Sequence, residues 1–147
     1  MHPISRKLVD CFKRENRAYF FGNGGSAAQS QHFAAELMGR FEKNRLGLPA
    51  ISLTTDTSFL TAWSNDVDFR EIFSRQVRTL AKPGDVVIGI STSGKSDNVL
   101  VGLAQAEHVG CVTIDFPRRG KNTAECQEYQ LKLMHKICRE VEGAMFP

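Results

Sequence analysis

His32 and Glu36 carry side chains that ligate zinc, and a glutamate can also take up a proton as a general base. Their four-residue spacing puts both on one face of a helix. Taken alone, such a pair is more often a solvated helix contact than a metal site. Further along, Gln127 and His135 share one long helical pattern. Their separation corresponds to a rise of about 12 Å along a helix axis. A common ion would need Gln127 to lean forward and His135 to lean back. Helical side chains lean toward the N-terminus, which suits His135 and works against Gln127. On spacing alone, His135 is more often a surface or packing residue than a ligand.

Two loops offer anion binding instead. Asn23-Gly24-Gly25-Ser26 and Ser91-Thr92-Ser93-Gly94-Lys95-Ser96 each follow an apolar run and open a helical segment. A helix N-terminus presents free backbone N–H groups and roughly half a positive charge. Hydroxyls beside it can bond phosphate oxygens, and Gly94 lets the backbone approach closely. One such loop is equally well an ordinary turn with capping serines. Two, at the carboxyl ends of parallel strands where open α/β sheets bind ligands, favour a ligand site. Neither loop is a dinucleotide fingerprint or a Walker loop, so the phosphate belongs to something smaller than a nucleotide.

The elements that must position these residues follow from hydrophobic periodicity. An amphipathic segment over Ile4–Arg14 places Leu8, Cys11 and Phe12 on one face. Strands are expected over Ala18–Phe21, Ala50–Leu53, Val86–Ile90 and Cys111–Asp115. Helices are expected over Ser26–Met38 (closed by Gly39), Asp56–Asn65, Phe69–Leu80 (capped by Asp68), Asp97–Val109 and Thr123–Glu142. Alternation of short apolar runs with helical periods indicates βαβ units and a parallel sheet in one domain spanning residues 1–147.

Bulk properties narrow the classes. The 147 residues are 41% hydrophobic and 24% charged, an ordinary globular balance that excludes disorder. A net charge of +3, with no Lys/Arg run longer than two residues (as at Arg118-Arg119), argues against nucleic acid as a partner. Cys11, Cys111, Cys126 and Cys138 form no Cys-x-x-Cys pair and read as free thiols of a reducing compartment. The N-terminal residues lack the apolar core of a signal peptide, and no apolar run approaches a membrane span. A cytoplasmic protein without membrane contact is expected.

Phe21-Gly22-Asn23-Gly24-Gly25-Ser26-Ala27-Ala28 followed by His32-Phe33-Ala34-Ala35-Glu36-Leu37 strongly resembles the sugar isomerase (SIS) domain family, and within it the phosphoheptose isomerases. Trp63-Ser64-Asn65-Asp66, Ile72-Phe73-Ser74-Arg75, Gly89–Gly94 and Asn122–Glu128 match in the family's order. The resemblance implies a flavodoxin-like parallel sheet flanked by helices, assembled as a homotetramer with active sites between subunits. It implies conversion of sedoheptulose 7-phosphate to D-glycero-D-manno-heptose 7-phosphate on the way to lipopolysaccharide heptose. By position, His32, Glu36, Gln127 and His135 match zinc ligands. Ser91, Thr92, Ser93 and Ser96 match the phosphate loop, and Asn23, Gly24, Gly25, Ser26, Asn65, Asp66, Glu36 and Gln127 match substrate contacts. In the enediol chemistry this implies, Glu36 would be the base and His135 the acid. The other reading open to such a module is a non-catalytic scaffold that binds a sugar phosphate or a replication-initiator protein.

The chain departs from the family in a shorter N-terminal helix, and between Phe116 and Asn122. There the family runs through a glycine-rich turn, a short helix and a further strand, whereas Pro117-Arg118-Arg119-Gly120-Lys121 leads almost directly into the last helix. Either one strand is lost or the sequence omits a stretch of the intact molecule, and the second is favoured. A true loss would expose a sheet edge and could misplace Gln127 and His135.

Overall fold

The computed structural model describes residues 1–147. Four parallel strands form one sheet: β1 (Ala18–Gly22), β2 (Ala50–Ser52), β3 (Val86–Ile90) and β4 (Val112–Asp115), in the order β2-β1-β3-β4. Phe20 pairs with Ser52 on one side and Ile88 on the other, and Gly22 pairs with Ile90. Consecutive residues of β1 feed opposite faces. Phe20 joins a large core with Val86, Ile88 and Ile90, whereas Tyr19 and Phe21 join a smaller one with Val87. Burial on both faces explains why these strands read as unbroken apolar runs.

Helices α1 (Pro3–Lys13), α2 (Gly25–Met38) and α6 (Thr123–Met145) bury their apolar stripes in the large core. On the other face, α4 (Ile72–Leu80) and α5 (Asp97–Val109) supply most of the smaller core. Beside α4, α3 (Thr57–Asp66) buries no residue fully. The start signals work as their chemistry dictates. Pro3 opens α1, the Asp56 carboxylate accepts from Phe59 N–H at 3.0 Å, and Asn122 Oδ1 accepts from Glu125 N–H at 2.9 Å.

Expected boundaries shift by a residue or more at several elements, and two of the shifts have identifiable reasons. The Phe69–Leu80 segment divides into a 3-10 turn (Phe69–Glu71) and α4, because Asp68 caps at Arg70 N–H and tightens the first turn. Cys111 is still tied to α5, its N–H donating to Ala106 O at 2.9 Å, so β4 begins one residue later. The last strand residue of β2 is Ser52, although Leu53 N–H still bonds Phe20 O at 2.8 Å. The last helix runs three residues past Glu142, to Met145. From β4 the chain reaches α6 with no strand between, so β4 pairs only with β3 and is an open edge, with Val112 exposed.

Candidate functional site

Strand order reverses between β1 and β3, so the loops that leave their carboxyl ends diverge there and leave a crevice. Close approach of the two strands requires Gly22, where a Cβ would strike Ile90 O. The first loop then turns through Gly24 at φ +56°, a conformation open to glycine, which occupies the N-cap of α2 without a side-chain cap. The N–H groups of that first turn are therefore left without a side-chain acceptor.

The second loop is organised by its own hydroxyls. Gly94 N–H donates to Ser91 Oγ and Lys95 N–H to Ser93 Oγ, each at 3.0 Å. Ser91 Oγ lies 3.3 Å from Ser93 Oγ and 3.4 Å from Ser96 Oγ. The two loops are fastened together by a reciprocal amide pair: Asn23 Nδ2 donates to Asn98 Oδ1 at 2.7 Å, and Asn98 Nδ2 to Asn23 Oδ1 at 2.9 Å. A cavity of about 660 Å³ opens beside Asn23 and Gly24, walled by Thr54, by Leu60, Thr61, Ser64 and Asn65 of α3, and by Phe69. A second hollow of about 440 Å³ shares Asn23 and Phe69 and reaches Ser96 and Asn98. The second hollow also carries Asp68, Asp97 and Arg70, and of the serine loop only Ser96 reaches it; together the two suit a small polar metabolite.

A different constellation lies along the seam of α2 and α6. The two helices run side by side: Gln29 Nε2 donates to Gln127 O at 2.8 Å, and the Gln127 amide packs against Gly25. His135 thereby arrives beside His32, with ring centroids 5.3 Å apart and edge to face. His32 Nε2 lies 3.8 Å from Glu36 Oε2. One ligating atom from each of His32, Glu36 and His135 lies within 4.8 Å of the others. Phe41 stacks on the far side of the His135 ring, at 5.7 Å and 24°. Shortening of the β4–α6 connection has therefore not separated His135 from α2.

Gln127 is placed differently. Its amide meets the first turn of α2, whereas His32 sits about two turns further on, a rise of roughly 10 Å. Asn65 lines the cavity, and its neighbour Asp66 accepts from the Asn65 amide at 2.9 Å. Ser26 is buried at the start of α2, and Thr92 faces a third hollow with Arg118 and Lys121. Sequence reasoning passed over Asn98, Thr54 and Phe41. Asn98 had a signal, an amide at the opening of the helix that follows the serine loop. Phe41 had none, because its role depends on where a distant helix lies.

Two imidazoles and one carboxylate are the donor set of many catalytic zinc sites, in which a further position stays open. The residues thus fit zinc chemically, and they lie on neighbouring helices.

Residues 2–116 match the SIS domain family. A phosphoheptose isomerase of Aquifex aeolicus is 49% identical, over 92% of this chain and 79% of the relative. One from Roseiflexus sp. is 43% identical over 97% of this chain and 81% of the relative. Among solved structures, a phosphoheptose isomerase of Neisseria gonorrhoeae superposes with a TM-score of 0.89 at 36% identity, covering 95% of this chain and 83% of that one. One from Francisella tularensis gives 0.91 at 28% identity over the same shares.

Proposed function

This chain belongs to the SIS domain family and, within it, to the phosphoheptose isomerases, and we propose that it isomerises sedoheptulose 7-phosphate using Glu36 and His135. The observation that carries the assignment of chemistry is the convergence of His32, Glu36 and His135 on the α2–α6 seam. A scaffold that only held a sugar phosphate would not need that donor set.

Aldose–ketose exchange moves a proton between neighbouring carbons through an enediol, and so needs a base, an acid and relief of developing negative charge. In our reading Glu36 takes the proton from carbon and His135 gives one to the carbonyl oxygen, with roles reversed in the opposite direction. His32, Glu36 and His135 would hold zinc, with Gln127 as the fourth candidate ligand. Zinc, when bound, supplies Lewis-acid polarisation of the carbonyl. A carboxylate has two oxygens and an imidazole two nitrogens, so each group can face a cation with one atom and handle a proton with the other.

The phosphate end belongs to Ser91, Thr92, Ser93 and Ser96, with Asn23, Gly24, Gly25, Ser26, Asn65, Asp66 and Gln127 serving the sugar. Remote binding there is converted into orientation at the reacting carbons. Within one chain, Gly24 and Ala27 line the cavity while His32 turns toward α6. A homotetramer in which neighbouring copies complete each site would unite these two sides of α2. We place the whole chain, as one SIS domain, in the cytoplasm and in the supply of heptose for lipopolysaccharide. No helix is long and apolar enough to cross a membrane.

Incubation with sedoheptulose 7-phosphate, before and after chelation and with zinc restored, tests this reading. Turnover that falls with the chelator and returns with zinc is expected. Absence of any heptose 7-phosphate product from the zinc-loaded protein would overturn it.

A further inference from the structure

Glu36 lies in the last turn of α2, where the final carbonyls of a helix have no partner within it. No basic residue stands in that turn. Instead the chain leaves α2, passes through residues 39–47 and sends Arg45 back under the helix end. Arg45 Nη2 donates to Glu36 O at 2.8 Å, and Nη1 to Leu37 O at 2.8 Å and Gly39 O at 2.9 Å. The guanidinium side chain is only 3% exposed, and its Nε donates to Glu142 Oε1 at 2.9 Å.

Glu142 belongs to α6, the helix that carries His135, and is 2% exposed. Besides Arg45 it accepts three backbone N–H groups: Phe41 at 3.1 Å, Glu42 at 2.8 Å and Lys43 at 3.0 Å. These donors hold the turn that lays Phe41 on the His135 ring. Burying a carboxylate and a guanidinium costs several kcal/mol per ion, so a pair is tolerated only where further hydrogen bonds satisfy both groups. Here every guanidinium nitrogen and both carboxylate oxygens have partners, and these lead directly to Glu36 and to His135.

We propose that Arg45 and Glu142 are positioning residues for the reacting seam: Arg45 fixes the turn of α2 that bears Glu36, and Glu142 fixes the Phe41 platform on which His135 rests. Neither touches the reacting atoms. Arg45 is specified as arginine because one planar fork reaches carbonyls and a carboxylate together, which a lysine ammonium cannot do. The proposal rests on the catalytic reading given above, but its structural half can be read without turnover.

The test compares wild type with Arg45→Lys, Glu142→Gln and Phe41→Leu, using Val77→Ala of α4 as a control that loosens the smaller core on the other face of the sheet. His135 ring-proton shifts in the metal-free protein, zinc affinity by chelator competition, and kcat and KM for sedoheptulose 7-phosphate are measured. Arg45→Lys and Glu142→Gln are expected to weaken zinc about tenfold, the low end for residues that orient metal ligands. They should also lower kcat about tenfold while leaving KM within about twofold, and move the His135 resonances. Phe41→Leu, which leaves the ion pair intact, should move those resonances and lower kcat in the same sense. Val77→Ala should lower Tm alone. If the ion-pair variants fail to fold, Phe41→Leu decides. Unmoved His135 resonances with unchanged zinc affinity in the folded variants would overturn the proposal. A wild type that binds zinc but does not turn over the sugar would instead overturn the catalytic reading and leave the positioning result standing.

Discussion

At the crevice between β1 and β3 the polar groups are backbone N–H, hydroxyls and amides of the two loops and of the helices beside them. Along the α2–α6 seam they are side chains projected from two long helices, with a buried ion pair beneath them. The first region is local: each loop shapes itself within a few residues. The second exists only because the two helices lie side by side on one face of the sheet. On the proposed function, single hydroxyls would tune binding whereas the packing of two helices would set the chemistry, so the two regions should fail in different ways.

The largest separation should come from Glu36→Gln. Sugar-phosphate binding should survive while kcat drops at least about a hundredfold, the low end of a general base's contribution. Retained binding by calorimetry with near-normal turnover would remove Glu36 from the seam's chemistry. Metal removal should act on the same side of the comparison, lowering kcat at least about tenfold, with His32→Ala weakening zinc by a similar factor. Ser93→Ala acts on the opposite side, raising KM several-fold while kcat changes little, because its hydroxyl supplies uniform binding. An unchanged KM would take that serine away from the phosphate. If copies complete one another's sites, mixing the Glu36→Gln and Ser93→Ala proteins should alter activity from the average of the two alone.

The smallest effect concerns acid. Burial alone would raise the Glu142 carboxyl, but the N–H groups of Glu42 and Phe41, the Arg45 guanidinium and the Lys43 N–H outweigh it and hold the group below its ordinary range. A carboxylate depressed in the folded state stabilises at pH values above its unfolded pKa, and that contribution is lost as pH falls through the lower folded value. Thermal melts should thus show a Tm gap between wild type and Glu142→Gln that is widest near neutrality and narrows below about pH 4, where an unfolded carboxyl protonates. A gap independent of pH would show that charge is not what the Glu142 position contributes.

Sequence patterns disclose these regions unequally. The apolar run Val86–Ile90 and the hydroxyl-rich stretch after it announce a strand and an anion loop, because both signals are local. His32 and Glu36 share a face by spacing alone. His135 is invisible to that logic, since its place depends on the register between α2 and α6, which Gly25 sets by admitting the Gln127 amide. Family resemblance supplied what periodicity could not. Even the resemblance passed over Arg45 and Glu142. A trace exists in hindsight: Glu142 follows Val141 on the stripe of Met134, Ile137 and Cys138, all buried, and a lone acid on such a stripe needs a partner.

The crossed amides of Asn23 and Asn98 carry a consequence for how the pocket floor tolerates change. Each side chain both gives and takes one hydrogen, so the contact is chemically symmetric although the residues come from different strands' loops. Aspartate at either place, isosteric as it is, would set two lone pairs face to face across one of the two contacts, and the floor would spread. Two amide nitrogens, one from each side, thus keep the halves of the crevice in step.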